Sequence, residues 1–331
     1  MKVKAVHSMA FHGDVLRIDC EAETQRICSF IQKQVGDMRR GGAVIGLSGG
    51  IDSALSASLC VRALGKDKVL GLIMPERESN PISAEYAAKL ARKMGIAVET
   101  IDLTPTLKAF GTYEKRDNAI RAVFPDYDGS WKSKIVLPAD LLSRDAFNFF
   151  TLKVEDSHGN IRSARLNNET LHGIVAATDT KHRTRMLCLY YYGERDNSLV
   201  CGTTNRTEMV QGFFVKYGDG GVDIEPLAHL YKTQVYQIAE YLGVIREIID
   251  RAPSPDTFSF TVTDEEFYFR IPYDRLDLLI YAWENSVPVA EVCAAMDLTE
   301  EQVKRAFRDF TSKYNATRHL RALPPTLDMR T

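Results

Sequence analysis

One stretch near the amino terminus indicates how this chain folds: residues 43–53 read Ala43-Val44-Ile45-Gly46-Leu47-Ser48-Gly49-Gly50-Ile51-Asp52-Ser53. The apolar run is long enough for one buried strand, and residues 54–64 have a composition that favours helix. Gly49 and Gly50 allow positive φ in the turn between the strand and the helix. A strand that passes through such a turn into a helix presents backbone N–H groups and the positive end of the helix dipole, which suits a phosphate.

Three polar side chains of this loop fit the same role. Ser48 and Ser53 can donate hydroxyl hydrogen bonds, and Asp52 can hold a divalent cation against phosphate groups. The Ser-Gly-Gly tripeptide alone is equally compatible with an ordinary strand-to-helix turn. The loop is not the kinase-type P-loop, because the chain contains no Gly-Lys-Ser or Gly-Lys-Thr.

Composition narrows the class of protein. The chain has 331 residues, enough for a large core, and its 42 basic and 44 acidic residues give a net charge of −2 that argues against nucleic acid as a partner. No apolar run reaches membrane-spanning length, and the first residues lack the apolar core of a signal peptide. Six cysteines without paired spacing are expected to be reduced thiols. We therefore expect a cytoplasmic protein that binds neither nucleic acid nor membrane.

The segments on either side of the loop predict an α/β fold. Residues 69–74 and 96–103 are expected to be buried strands, with a helix over 83–94 between them. Further helices are expected over 14–40, 180–192 and 231–242, and a short strand over 198–202. Alternating strands and helices at this spacing predict a parallel sheet covered by helices on both faces.

Two regions depart from the alternating pattern. Residues 111–178 are expected to be an insertion on the core, and its segments 149–155 and 161–166 predict a β-hairpin around a glycine-containing turn. Helices near 273–283, 287–296 and 299–316 predict a helical C-terminal extension over 270–331. The insertion has too little apolar content for a separate core, so we expect one unit over residues 1–331.

A second block that can carry chemistry runs from residue 202 to residue 223. Here Glu208 can hold Mg²⁺, and a glycine-rich loop can place Lys216, Asp219 and Asp223 on a polar substrate. A structural loop with solvated charges would have a similar composition, so the residues alone leave both interpretations open.

Five motifs in order resemble the family of ammonia-dependent NAD synthetases within the ATP pyrophosphatase superfamily: SGGIDSA, GTTNRTE, GFFVKYGDGGVDIEPL, LYKTQV and APSPD. The resemblance implies a Rossmann-like core of the adenine nucleotide alpha hydrolase type, a homodimer, and the use of ATP and Mg²⁺. It implies a ligase that amidates nicotinic acid adenine dinucleotide (deamido-NAD). In that reaction ATP adenylates the nicotinate carboxylate, and ammonia then displaces AMP to give NAD.

The resemblance also implies roles for individual residues. Asp52 and Lys232 match the catalytic positions, and Asp52 and Glu208 match the Mg²⁺ ligands. The positions that match the ATP site are Gly46, Ser48, Gly49, Gly50, Ile51, Asp52, Ser53, Met74, Arg183, Thr203, Lys232 and Ser254. Those that match the dinucleotide site are Arg183, Lys216, Asp219 and Asp223. Arg183 and Arg185 cannot share one helix face, so we expect one to serve the site and the other a structural ion pair.

Some positions depart from the family pattern. Asp179 stands where the family usually has asparagine, and Val262 replaces the glutamine of a Gln-Thr-Asp-Glu segment. The aromatic residues around it, from Phe258 to Phe269, are expected to be core. These departures and the large insertion leave open an amide ligase for another carboxylate, and a non-catalytic nucleotide-binding regulator is a further alternative. No glutaminase is visible, so free ammonia is the expected nitrogen source unless a partner supplies it.

Overall fold

The computed structural model describes residues 11–138, 140–143 and 149–327. Its strands are β1 Gly42–Gly46, β2 Val69–Ile73, β3 Ala97–Thr100, β4 Lys132–Val136, β5 Thr151–Glu155, β6 Ile161–Arg165 and β7 Ser198–Cys201. Its α-helices are α1 Cys20–Asp37, α2 Ile51–Leu64, α3 Pro81–Met94, α4 Thr104–Phe110, α5 Thr112–Arg121, α6 Asn168–Arg195, α7 Arg206–Gln211, α8 Lys232–Tyr241, α9 Arg246–Ile249, α10 Tyr273–Glu284, α11 Val289–Met296 and α12 Glu300–Ala316.

The core is a four-stranded parallel sheet in the order β3-β2-β1-β7. In register, Ala43 lies opposite Val69 of β2 and Leu199 of β7. The parallel sheet that the sequence predicts is therefore confirmed. The order also places β1, the strand that leads into the Ser-Gly-Gly turn, between two neighbours that are both followed by predicted site residues.

Helices cover both faces of this sheet, as predicted. Alternate residues of a strand point to opposite faces. Ala43 and Ile45 pack into one apolar cluster with α1, α2 and α8, whereas Val44 packs into another with Leu189 of α6 and Leu107 of α4. Because β1 is buried on both faces, its residues form a continuous apolar run instead of an alternating pattern.

The predicted hairpin of the insertion is confirmed as β5 and β6, but a third strand, β4, was not predicted. Strand β4 pairs with β5 along one edge and contacts residues 259–266 through the backbone of Ser133, Leu137 and the side chain of Lys134. Phe260 N donates to Ser133 O at 3.2 Å, and Lys134 Nζ donates to Thr261 O at 2.8 Å. This sheet therefore holds the segment that follows the APSPD motif.

Helix α6 is longer than the sequence predicted. It begins at Asn168, whereas the prediction placed its start at residue 180, and it runs for 28 residues. The side chain of Asn167 accepts a hydrogen bond from Thr170 N at the helix start, which satisfies one of the unpaired N–H groups there. The last turns of the predicted insertion are thus part of the helix that carries Arg183.

The three C-terminal helices form where they were predicted, as α10, α11 and α12. They bury a second apolar cluster that includes Leu279, Val303 and Phe310. All six cysteines are free, as expected. Among the described residues, no helix is both long and apolar enough to cross a membrane.

Candidate active site

The loop between β1 and α2 is held in shape by its own hydroxyl groups. The Oγ atoms of Ser48 and Ser53 lie 2.9 Å apart, and Ser53 Oγ also donates to Gly50 O at 3.0 Å. Gly50 N in turn donates to Ser48 Oγ at 3.2 Å. These bonds close the turn and direct it into the amino terminus of α2, the geometry that the sequence predicts for an anion site.

Gly49 is required in this loop for two reasons. Its φ of +74° lies in the left-handed region, and a Cβ atom there would overlap the backbone carbonyl of Ser83 in α3. The loop therefore packs directly on the first turns of α3. At the start of the loop, a Cβ on Gly46 would lie 3.3 Å from Met74 Cε at the end of β2.

Three charged side chains meet beside this loop. Lys232 Nζ, at the start of α8, lies 2.5 Å from Asp52 Oδ2 and 3.5 Å from Glu208 Oε1. The Lys232 side chain is only 2% exposed, and the two carboxylates are mostly buried as well. Residues separated by 180 positions in the chain are thus brought together at one end of the sheet, as the sequence analysis expected for Asp52, Glu208 and Lys232.

Asn205 joins two members of this cluster, and the sequence analysis did not single it out. Its Nδ2 donates to Asp52 Oδ1 at 2.9 Å, and its Oδ1 accepts from Glu208 N at 3.1 Å. Glu208 Oε2 accepts from Asn205 N at 3.2 Å, which completes a capping box at the start of α7. The Asn-x-x-Glu spacing in the GTTNRTE motif indicates this cap.

Two members of this cluster, Glu208 and Lys232, have pKa values above their ordinary values, for different reasons. Burial and then the neighbouring Asp52 raise the pKa of Glu208 well above its usual range, although Lys232 opposes them. Burial alone would lower the pKa of Lys232, but Asp52 and Glu208 raise it above its ordinary value. Lys232 therefore stays charged, whereas burial disfavours the charged form of Glu208 despite the nearby lysine.

Asp264 faces the same cluster and was noted in the sequence only as part of a motif. Its Oδ2 accepts from Tyr273 Oη at 2.9 Å, while its buried Oδ1 has no hydrogen-bond partner among the described residues. Burial raises the pKa of Asp264, and Lys232 opposes that shift. An unsatisfied buried oxygen indicates room for a further cationic or donor group.

Two carboxylates of this cluster suit a magnesium ion, although the described residues contain no group of three or more His, Cys, Asp or Glu side chains placed to hold a metal. Asp52 and Glu208 supply carboxylate oxygens, the ligand type that Mg²⁺ prefers, on two elements that meet at the phosphate loop. The raised pKa of Glu208 and the orphan Oδ1 of Asp264 are both conditions that an added cation would relieve.

The APSPD motif lies against the phosphate loop. Asp256 accepts from Asn80 N at 3.1 Å and from Ser83 Oγ at 2.8 Å, and Arg251 donates to Gly49 O at 3.5 Å. Ser254 Oγ accepts from Asp256 N at 3.3 Å, so its hydroxyl lies within this turn. Thr203, another residue of the expected ATP site, lies two residues after the end of β7.

The structure separates the two arginines of α6. Arg185 Nε contacts Met74 O at 3.4 Å, at the end of β2, and burial lowers the pKa of its guanidinium. Arg183 is exposed and lies 3.8 Å from Asp179, with its Nε 3.3 Å from Lys216 O. Arg185 is therefore on the side of the sheet end, and Arg183 is on the side of the glycine-rich loop.

The expected dinucleotide-binding residues make contacts within the chain. Lys216 Nζ donates to the carbonyl oxygens of His319 and Ala322 at 2.9 and 3.1 Å. Asp219 accepts from Val215 N, and Asp223 accepts from Val200 N and Tyr190 Oη. These bonds shape the glycine-rich loop around β7 and place the C-terminal tail over Lys216.

The aromatic residues after the APSPD motif form core, as expected. Phe258 and Phe269 are buried, and the ring of Phe267 lies 5.3 Å from that of Phe258. The ring of Tyr268 stacks on Phe213 with centroids 5.0 Å apart. These rings fill the space between the β4–β6 sheet and the C-terminal helices.

Comparison with known proteins fits this geometry. The family model described as NAD synthase matches residues 23–126 and 143–324, which include every site residue described above. The chain belongs to the NAD synthase family. Residues 127–142, which contain β4, lie between the two matched segments.

Individual members of the NAD synthase family cover nearly the whole chain. The NH(3)-dependent NAD(+) synthetase of Mesorhizobium japonicum is 46% identical over 311 residues, 94% of this chain and 97% of the relative. The NH3-dependent NAD synthetase structure from Campylobacter jejuni superposes with a TM-score of 0.62 at 25% identity, over 94% of this chain and all of that one. An NMN synthetase structure from Francisella tularensis shares the fold, with a TM-score of 0.66 at 24% identity over 95% of this chain and all of that one.

Proposed function

We propose that this chain is an ammonia-dependent NAD synthetase, which uses ATP to amidate the nicotinate carboxylate of deamido-NAD. The observation that carries the proposal is the buried cluster of Asp52, Glu208 and Lys232 at the end of the phosphate loop. A nearly full-length relative that is named NH(3)-dependent NAD(+) synthetase supports the same activity.

The first half of the reaction converts a poor electrophile into a good one. A carboxylate oxygen of deamido-NAD attacks the α-phosphorus of ATP, the bond to the bridging oxygen of the β-phosphate breaks, and pyrophosphate leaves. The turn at Ser48–Ser53 and the start of α2 hold the phosphates, and Lys232 neutralises charge as it builds on the leaving group. Mg²⁺, held by Asp52 and Glu208, supplies further charge neutralisation when it is bound.

In the second half, the nitrogen of ammonia attacks the acyl carbon of the adenylate, the bond to AMP breaks, and the added nitrogen loses a proton. The chain has to keep water out of this step, because water would return the acid. The segment that carries Asp264 is held by hydrogen bonds to Ser133, Lys134 and Leu137, and we assign it that purpose.

The remaining expected residues divide between the two nucleotides. We assign Gly46, Met74, Thr203 and Ser254 to ATP, together with Arg185, because that arginine contacts Met74 O. We assign Arg183 to deamido-NAD together with Lys216, Asp219 and Asp223, because its contact with Lys216 O places it at the glycine-rich loop.

We further propose that the protein is a homodimer through α6. Leu187 and Tyr191 are four residues apart and therefore on one helix face, and their side chains are 63% and 62% exposed. Light scattering should give twice the mass of the chain. Changing both residues to glutamate should yield monomers, whereas the same change at exposed Tyr241 of α8 should not. A monomeric unsubstituted protein would contradict this assignment.

The activity has a direct test. The purified protein is mixed with ATP, Mg²⁺ and deamido-NAD, and NAD, AMP and pyrophosphate are measured with either ammonium or glutamine as the nitrogen source. We expect equal amounts of NAD and AMP with ammonium and no NAD with glutamine alone. NAD formation from glutamine without any partner would contradict the proposed nitrogen source.

The acceptor is tested in the same assay. Nicotinic acid mononucleotide and other carboxylates replace deamido-NAD at equal concentration, and AMP release is compared. We expect deamido-NAD to give the highest kcat/KM. Faster AMP release with another acid would assign the same adenylating site to that acid, and ATP binding without pyrophosphate release would favour a regulator.

The free thiols of Cys60 and Cys201 support a reducing, cytoplasmic location for this reaction.

A further inference from the structure

We propose that Asp277 and Thr207 are positioning residues, which together fix Lys232 relative to Glu208. Neither residue belongs to the site described above, and neither reaches the phosphate loop. The inference rests on the proposed function, since it concerns how the catalytic cluster of that reaction is held in place.

Asp277 is a fully buried carboxylate on α10 that accepts two hydrogen bonds from two different helices. Its Oδ1 accepts from Thr207 Oγ1 of α7 at 2.6 Å, and its Oδ2 accepts from Thr233 N of α8 at 2.7 Å. The carboxylate thus bridges the helix that carries Glu208 and the helix that carries Lys232.

Thr207 completes the bridge at the first residue of α8. Its Oγ1 donates to Asp277 and accepts from Lys232 N at 3.1 Å. The Thr207 side chain is fully buried, and Glu208 follows it directly in the chain. Two side chains therefore satisfy the N–H groups of residues 232 and 233, which have no partner within α8.

The bridge matters because the cluster has little tolerance for displacement. Lys232 Nζ lies between two carboxylates at 2.5 and 3.5 Å, and its stem leaves α8 at the residue whose N–H the bridge holds. A shift of α8 against α7 would change both distances at once. The bridge also fixes Thr207, which directly precedes the proposed ligand Glu208. Removing residues that orient metal ligands commonly lowers metal affinity or activity about 10- to 100-fold.

Burial of the Asp277 carboxylate carries a free-energy cost, which its two hydrogen bonds offset. Burial raises the pKa of Asp277 to about 6, although Thr207 and Thr233 oppose that shift. An apolar residue at this place in the C-terminal core would avoid that cost. A carboxylate at this position accepts from both Thr207 Oγ1 and Thr233 N, which an apolar residue could not do.

The experiment compares two breaking variants with two conservative ones in the full-length protein. Asp277→Ala and Thr207→Val remove the bridge. Asp277→Asn keeps an acceptor for Thr233 N and a donor for Thr207 Oγ1, and Thr207→Ser keeps the hydroxyl. Asp309→Ala is the control for a lost buried carboxylate, because Asp309 pairs with Lys313 on its own helix, α12.

Two readouts are measured. The first is turnover, with KM for deamido-NAD and the Mg²⁺ concentration that gives half-maximal rate. The second is the rise in melting temperature that MgATP causes without deamido-NAD, which reports nucleotide binding even if the acceptor is a different acid.

We expect Asp277→Ala and Thr207→Val to lower kcat about 10- to 100-fold, to raise the Mg²⁺ requirement, and to shrink the thermal shift with MgATP. KM for deamido-NAD should change less than about threefold, and the two conservative variants should stay within about fivefold of the unsubstituted kcat. Asp309→Ala should lower the melting temperature while it keeps the Mg²⁺ requirement.

The inference is overturned if the breaking variants lose stability yet keep the unsubstituted Mg²⁺ requirement and MgATP shift. It is also overturned if Asp277→Asn behaves like Asp277→Ala. If the unsubstituted protein binds MgATP but forms no NAD, the proposed function fails while the MgATP shift still decides the role of the bridge. If Asp277→Ala does not fold, Thr207→Val against Thr207→Ser decides the same question.

Discussion

Replacing Lys232 by methionine tests the electrostatics of the catalytic cluster. Methionine keeps most of the length of the buried stem but removes the charge that lies 2.5 Å from Asp52 and 3.5 Å from Glu208. We expect Lys232→Met to lose both stability and turnover, and we expect Mg²⁺ to restore only the stability. A divalent cation can neutralise the carboxylates, but it cannot replace the ammonium that we assign to the leaving phosphates.

The size of the stability loss follows from the geometry. With an effective dielectric constant of about 20, one pair at 3.5 Å contributes about 5 kcal/mol of attraction. Part of this is offset because Glu208, whose pKa burial already raises, takes up a proton when Lys232 is absent. Breaking a buried pair typically costs about 3–5 kcal/mol, which for a chain of this size lowers the melting temperature by about 4–7 °C.

The assay is thermal unfolding with and without Mg²⁺, next to the rate of NAD formation. Lys313→Met is the matched control, because Lys313 is also buried and lies 2.8 Å from Asp309, away from the phosphate loop. It should lose less stability, because burial lowers the pKa of Lys313, and it should show no recovery in Mg²⁺. The reasoning is refuted if Lys232→Met keeps turnover, or if Mg²⁺ stabilises the Lys232 and Lys313 variants equally.

Three further predictions concern the residues around this cluster. Asp52→Asn should abolish turnover at an unchanged far-ultraviolet circular dichroism spectrum, and near-normal rates would show that the metal assignment is wrong. Gly49→Ala should raise KM for ATP at least about tenfold, because the new Cβ meets the carbonyl of Ser83. Gly65→Ala, at the end of α2, adds strain of about 1–3 kcal/mol from its backbone conformation alone and should leave KM unchanged. Burial raises the pKa of Glu225 to about 8, so its contribution to stability is full below the unfolded value of about 4.5 and is lost as pH rises through 8. Glu225→Gln should therefore weaken the fall in melting temperature between pH 6 and 9, and an unchanged pH profile would contradict this.

The sequence predicts the central strands β1 and β2 well because they are buried on both faces. Each becomes a short apolar run between helix signals, as in β1 and β2, and such a run needs no knowledge of its partner. The phosphate loop is predictable for a related reason, since Gly49 and Asp52 act through local geometry. Lys232 and Glu208 were placed in the same site only through the order of motifs in a family.

Strand β4 escaped prediction because its sequence carries two lysines. The buried side chain of Lys134 donates to Thr261 O and lies over the ring of Phe260. Both partners are more than 120 residues away in the chain. Asp277 escaped for the same kind of reason, since its partners Thr207 and Thr233 are far away in the chain and nothing in the sequence of α10 indicates them. Asn205, by contrast, could have been found from its Asn-x-x-Glu capping pattern.

Strand β4 also bears on the entropy change that we expect when ATP binds. The backbone of residues 260–266 is bonded to Ser133, Lys134 and Leu137 before any ligand arrives. Ordering one residue of a loose loop costs about 1–2 kcal/mol of conformational entropy, which would otherwise be subtracted from the affinity for ATP. Calorimetry of ATP binding should accordingly record a small heat-capacity change, that of surface burial without coupled folding. The insertion thus orders residues 260–266 when the chain folds. The conformational entropy of this segment is then lost on folding and not on binding.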